Sequence, residues 1–189
     1  SNNGFQSLKD YTKWNSKQII DKIEIVYPAI RKVDKKLLNY NKDKVNIMFS
    51  GNFFRKGGAH VVDAFERLQK EYDNLYLRIC SNKNLGVLNE KLQKKYLQKI
   101  KNNKGIIFGE VEREVIMNKI LPETNIHLLP TYTETYGFSI EEAMAYGIPT
   151  ISTNCFAIPE MIEHGESGFL INYNKFNFIR WEQIIENKY

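Results

Sequence analysis

The sequence predicts an α/β fold in which a parallel sheet carries helices on both faces. Three observations lead there. From Val45 onward, short β-rich apolar runs alternate with stretches of helical spacing, and alternation at this density builds βαβ units. Glycine and proline fall between those segments, as at Pro130, Gly147 and Pro149, where they end one element and open the next. The chain has 189 residues, 42% of them hydrophobic, which suits one domain with a flanking segment and supplies a real core.

Taken in order, Val45–Phe49 is a strand-like run, and His60–Tyr72 reads as a helix with Val61, Ala64, Phe65 and Leu68 on one face. Leu75–Cys80 is a second strand. Leu88–Ile100 is a helix, with Leu88, Leu92, Tyr96 and Ile100 in one stripe. Gly105–Phe108 is a third strand, Arg113–Leu121 a third helix, and Asn125–Leu129 a fourth strand ended by Pro130. Ser139–Tyr146 is a helix stopped by Gly147, with Pro149 just beyond. Pro149–Thr153, a short helix at Ile158–Glu163 and a last extended segment at Gly168–Ile171 complete the series. Sheets of this kind bind ligands beyond the carboxyl ends of their strands. The loops after Phe49, Cys80, Phe108 and Leu129 are therefore expected to line any site.

The first forty residues read differently. Ser16–Lys22 has helical spacing, Ile23–Val26 is strand-like and closed by Pro28, and Lys35–Lys44 is polar and linker-like. The opening, SNNGFQSLKDY, lacks the apolar core of a signal peptide, and the apolar runs are too short to span a bilayer. The net charge is +5, which fits anionic ligands. The basic stretch Lys94, Lys95, Lys99, Lys101 and Lys104 has no interleaved aromatics and reads as a solvated helix face, so no nucleic-acid partner is expected. Cys80 and Cys155 have no metal-ligand spacing and read as buried thiols.

The text that carries chemistry begins at Pro130 and runs Thr-Tyr-Thr-Glu134-Thr-Tyr-Gly137-Phe138-Ser139-Ile-Glu-Glu142-Ala-Met-Ala-Tyr-Gly147-Ile-Pro149. A strand ends, a loop carries Glu134, and a helix begins near Ser139 with Glu142 in its first turn. Amide groups of a first turn lack intrahelical partners and welcome an anion. Gly137 lets a ligand approach the backbone, and the two carboxylates can accept hydrogen bonds from hydroxyls on either side. A sugar diphosphate has that layout. Ser139-x-x-Glu142 is also a capping box, which needs no ligand, and taken alone that is the better reading.

A second stretch, Gly51-Asn-Phe-Phe-Arg55-Lys56-Gly57-Gly58-Ala-His60, places two cations in a glycine-bearing loop between a strand and a helix. Arginine grips phosphate oxygens bidentately and lysine adds a point charge. The order excludes a Walker A loop, and no G-x-G-x-x-G fingerprint occurs. His60, His127 and His164 form no visible constellation; His127 lies mid-strand and reads as a packed core residue.

These stretches resemble the E-x7-E signature and first donor loop of retaining GT-B glycosyltransferases, family 4 (glycosyl transferases group 1) above all, over roughly Ile23 to Ile171. The resemblance implies a Rossmann-like donor domain, the C-terminal half of a GT-B fold. It implies Glu134 as the catalytic-site carboxylate on the donor sugar's hydroxyls and Glu142 on the nucleotide ribose. Gly137, Phe138 and Ser139 would meet diphosphate and sugar through their backbone. Lys56 would hold the diphosphate beside Gly51, with Arg55 supplying the charge that many members place directly after the first glycine, where Asn52 stands here. Phe108-Gly109-Glu110-Val111 matches the loop that meets the nucleobase. Ile158-Pro159-Glu160, Gly165 and Gly168-Phe-Leu170 match the family's tail, while Arg78-Ile-Cys-Ser81-Asn82 lacks the usual glycines.

On this reading residues 1–44 are an N-terminal segment and linker, the remnant of an acceptor domain, and residues 45–189 are the donor domain. The implied reaction transfers a hexose from a UDP- or GDP-sugar to an acceptor hydroxyl with retention, without cofactor and, in the absence of an Asp-x-Asp motif, without metal. The acceptor, a glycan or lipid, would be engaged through the N-terminal domain, and the isolated chain would transfer little. A cytoplasmic location is expected, with peripheral contact at the inner membrane face where the acceptor is a lipid. Two alternatives stay open: a non-catalytic sugar-nucleotide-binding module, and a GT-B-type nucleotide-sugar epimerase.

Overall fold

The computed structural model describes residues 23–30, 32–33, 39, 41, 43–85 and 89–172. A six-stranded parallel sheet forms from β1 (Val45–Ser50), β2 (Leu75–Cys80), β3 (Ile106–Gly109), β4 (Ile126–Leu129), β5 (Thr150–Thr153) and β6 (Gly168–Ile171), in the order β3-β2-β1-β4-β5-β6. From β1 the chain builds outward through β2 to β3. It then crosses back to β4 and builds the other way. The order reverses between β1 and β4, the point at which open sheets of this kind form a crevice at the carboxyl ends of their strands.

Three helices match the periodic segments, with shifted ends. α1 (Gly58–Leu68) starts two residues before the expected His60, because Gly57, at φ 82°, turns the chain into the helix and the Gly58 N–H donates to the Phe53 carbonyl at 2.6 Å. It stops short of Tyr72, which is exposed and has no core to join. α2 (Glu90–Asn102) is capped by Asn89, whose Oδ1 accepts from Lys91 N at 2.8 Å and Leu92 N at 3.3 Å; the expected start at Leu88 lies outside the described residues.

The segment expected as a regular helix at Arg113–Leu121 is not one. α3 (Arg113–Val115) widens into a π turn over Ile116–Ile120 and tightens over Leu121–Glu123. The Met117 carbonyl accepts from the Tyr146 hydroxyl, a side-chain partner that satisfies backbone displaced from the regular ladder. α4 (Phe138–Ala145) follows β4. The short helix expected at Ile158–Glu163 is a single tight turn, Ile158–Glu160.

Strand alternation feeds two cores. Ile47 and Phe49 of β1 join Leu77 and Ile79 of β2 beneath α1 and α2, where Phe53, Phe54 and Tyr96 also pack. Met48 and Cys80 point the other way, toward Ile120, Leu121, Ala143 and Tyr146. Phe53 is the hub of the first core, with ring centroids 5.0 Å from Phe54 and 5.7 Å from Tyr96. Burying such rings contributes about 1.5–3 kcal/mol each, and it anchors the β1–α1 loop that begins beside them. His127 is fully buried in β4, and burial pushes its imidazole down to about 4, as expected of a core histidine. Cys80 and Cys155 are buried free thiols, also as read from the sequence.

Ile23–Val26, expected as a strand, pairs with no strand among the described residues, and Ile23 and Val26 are exposed. Tyr27 nevertheless reaches the sheet domain, donating its hydroxyl to Glu160 Oε2 at 2.9 Å. The helix expected at Ser16–Lys22 lies outside the described residues, as does most of the linker.

Candidate functional site

The crevice between β1 and β4 is walled by two loops, residues 51–57 and 130–137, and the chain forces them together. A Cβ added to Gly57 would lie 2.1 Å from the Pro130 carbonyl oxygen, so only glycine permits this backbone-to-backbone approach. The Tyr132 N–H donates to the Arg55 carbonyl at 3.1 Å. Thr131 is locked from below: its hydroxyl donates to the Thr133 carbonyl at 2.7 Å, and its carbonyl accepts from the Thr153 hydroxyl of β5 at 2.6 Å. His60, in the first turn of α1, meets the Tyr132 hydroxyl. His60 thus belongs to the loop pair through Tyr132, a partner the sequence did not point to.

Lys56 and Glu134, seventy-eight residues apart, meet across this crevice. The Lys56 ammonium donates to Glu134 Oε2 and, at 3.2 Å, to the Thr133 carbonyl. Glu134 Oε1 accepts from the Thr135 N–H at 3.0 Å. The two side chains are only 13% and 12% exposed, so the cation and the carboxylate are fixed where the two loops converge. Gly51 lies against the Lys56 stem, where an added Cβ would come within 3.2 Å of Cγ. Arg55 is exposed, and its guanidinium makes no hydrogen bond among the described residues. Asn52 does not replace the missing charge. It folds the loop, its Oδ1 accepting from Arg55 N at 3.0 Å and its carbonyl from Lys56 N at 2.9 Å.

Behind the crevice, α4 opens at Phe138, and its N-cap is Gly137 at φ 109° with no side-chain cap. This removes the capping-box alternative: Ser139 is inside the helix, two positions past the N-cap. The amides at Phe138 and Ser139 have no intrahelical acceptor, and Phe138 is exposed while Ser139 is half-buried. An added Cβ on Gly137 would meet Met161 Cε at 2.9 Å, so protein closes one side of this turn. Tyr136 donates to Glu141 Oε1 at 3.1 Å; burial and that carboxylate raise its phenol above the usual range.

Glu142 lies in the same first turns, its side chain 14% exposed, and accepts from Arg113 Nε at 2.9 Å and Nη2 at 2.6 Å, both on Oε1. Arg113 opens α3, just after the β3 loop. Phe108 is half-buried in β3 opposite Ile79, two strands from the crevice, and the following Gly109 carbonyl accepts from Ser81 N at 3.1 Å. The structure therefore gathers Gly51, Arg55, Lys56, Glu134, Gly137, Phe138 and Ser139 around the crevice. Glu142 is tied by Arg113 to the chain that follows Phe108. Arg113 carries no local sequence signal, because its partner is twenty-nine residues away. Among the described residues no group of three His, Cys, Asp or Glu is placed to hold a metal, and no helix is long and apolar enough to cross a membrane.

Strand order, reversal point, glycine-bearing first loop and uncapped helix after β4 define a Rossmann-like α/β domain. Residues 30–180 match the family model described as glycosyl transferases group 1, and the chain belongs to that family, whose fold is GT-B. It is 29% identical over 174 residues to an uncharacterized 41.2 kDa protein in the cps region of Klebsiella pneumoniae, covering 83% of this chain and 43% of that one. It is also 29% identical over 114 residues to the N-acetyl-alpha-D-glucosaminyl L-malate synthase of Bacillus anthracis, covering 58% of this chain and 27% of the synthase. The chain thus spans less than half the length of these relatives. Among solved structures, the lipopolysaccharide outer core galactosyltransferase WaaB in its apo form superposes with a TM-score of 0.60 at 23% identity, covering 80% of this chain and 43% of that one. Anabaena HepE in complex with UDP and glucose gives 0.56 at 17% identity, covering 74% and 41%.

Proposed function

We propose that this chain is the donor-binding domain of a retaining hexosyltransferase that uses a UDP- or GDP-hexose. The observation that carries the proposal is the meeting of Lys56 and Glu134 across the β1/β4 reversal, beside a helix N-terminus with no side-chain cap. A diphosphate entering there finds a fixed ammonium, the free guanidinium of Arg55 and the open amides of Phe138 and Ser139. Those groups offset the charge that develops on a leaving nucleoside diphosphate, which is the work a divalent metal does elsewhere. Glu134 then faces the sugar hydroxyls, Glu142 the ribose, and the chain after Phe108 the base. Gly51 and Gly137 let the ligand approach the backbone.

The relatives support a role in building surface glycans: one lies in a cps region, and another is a putative colanic acid biosynthesis glycosyltransferase of Salmonella typhimurium. We take the acceptor to be a glycan or lipid bound by a preceding domain, with residues 1–44 as the connection, and the protein to work in the cytoplasm, at the inner membrane face where the acceptor is a lipid. A thermal-shift screen of UDP- and GDP-hexoses tests the reading. A bound donor at a hundred times its Kd stabilises the fold by about 2.7 kcal/mol, so one base should raise the melting temperature. A screen in which neither series does so contradicts the proposal. Transfer from a labelled donor by the full-length protein, with the product's anomeric configuration read by NMR, tests retention.

A further inference from the structure

We infer that Arg113 is a positioning residue that presents one oxygen of Glu142 to the vicinal hydroxyls of the donor's ribose, an inference that rests on the ribose role proposed for Glu142. Two Arg113 donors, Nε and Nη2, converge on the same oxygen, Oε1, at 2.9 and 2.6 Å. A carboxylate oxygen has two lone-pair sites, so Oε1 is filled. Oε2 accepts nothing among the described residues and keeps both of its sites, the number that two neighbouring hydroxyls require.

The pair is lopsided in a way that fits this role. Glu142 is 14% exposed and Arg113 76% exposed. The carboxylate thus sits against the protein while the guanidinium holds it from the solvent side. Arg113 also stands at the start of α3, directly after the loop that follows β3. It links the loop assigned to the base with the helix assigned to the ribose, so the two halves of a nucleoside would be read by elements in fixed register. A glutamate side chain free to rotate would have to be ordered by the ligand itself; one already clamped presents Oε2 at no further entropic cost.

The test uses the full chain and whichever of UDP and GDP it binds more tightly, with the matching 2′-deoxy nucleotide. Calorimetry on wild type should show weaker binding of the deoxy form. Arg113→Met keeps the apolar stem and removes the clamp. It should weaken the ribonucleotide roughly threefold to fivefold, the scale of a largely exposed ion pair, while the deoxy form changes less, so the ratio between them shrinks. Arg113→Lys should recover part of the loss. In a Glu142→Ala background, which has no side-chain acceptor, the Arg113→Met effect should vanish. Unchanged affinity and ratio in Arg113→Met, or an equal loss for both nucleotides, overturns the positioning role while leaving Glu142 as a ribose ligand. A wild type that binds neither nucleotide, or does not distinguish ribose from deoxyribose, overturns the ribose reading and this inference with it.

Discussion

Replacing Lys56 with methionine separates binding from architecture at the centre of the crevice. The ammonium is held by Glu134 and, at 3.2 Å, by the Thr133 carbonyl, with both charged side chains largely buried at 13% and 12% exposure. Removing one partner of a buried pair strands the other, at a cost of about 3–5 kcal/mol when burial is complete. Here Glu134 keeps the Thr135 N–H and some solvent, so a loss of about 2 kcal/mol in unfolding free energy is expected. Lys56→Met with Glu134→Gln removes both charges and should recover much of that loss. Binding responds differently. A hydrogen bond to a charged group contributes about 1.5–3 kcal/mol, so UDP or GDP should bind about ten- to a hundredfold more weakly to Lys56→Met, and the double variant should not regain it. The bare nucleoside should bind almost as before. Denaturant melts give the first quantity and calorimetry the second. If Lys56→Met loses stability yet binds the diphosphate as wild type does, or loses nucleoside and diphosphate equally, the lysine is a structural strut and the phosphate assignment is wrong.

Other consequences follow from individual residues. Gly57→Ala puts a Cβ 2.1 Å from the Pro130 oxygen at φ 82°; it should lower stability by at least about 2 kcal/mol, the scale of left-handed strain plus a backbone shift, and unchanged denaturant melts would contradict the contact between loops. His127, whose folded-state value near 4 lies below the unfolded 6.5, is neutral in the fold. Its protonation favours the unfolded chain, so stability should fall as pH drops from about 6.5 to 4, by about 3 kcal/mol in all. His127→Asn should flatten that part of the pH profile, and an identical profile would refute the assignment. Cys80, its thiol raised to about 11 by burial, should resist alkylation at pH 8 until the protein unfolds; rapid labelling of the native chain by iodoacetamide would show otherwise.

The sheet was legible because its signals are local. Each strand is a short apolar run, most boundaries carry glycine, proline or a cap, and the alternation itself implies a parallel, doubly covered sheet, as found. Helix ends were less legible, since tertiary contacts set them. Gly58 starts α1 because Phe53 offers a carbonyl, and the Arg113–Leu121 helix widens where Tyr146 supplies a donor from another element. In the site, the glutamates and lysine stood out through their motifs, but their partners did not. Lys56 with Glu134 and Arg113 with Glu142 join residues far apart in sequence, and His60 finds Tyr132 only once β1 and β4 are neighbours. The capping box failed for a conformational reason: Gly137 takes the N-cap two residues earlier than the side-chain pattern requires.

The central claim is that the β1/β4 crevice holds a nucleoside diphosphate by its phosphates. Calorimetric titration of the chain with nucleoside, nucleoside monophosphate and nucleoside diphosphate, for uridine and for guanosine, all in EDTA, tests it most directly. The account predicts one site whose affinity rises sharply at the diphosphate for one of the two bases. Failure of both diphosphates to bind, or binding that needs a divalent ion, would contradict it.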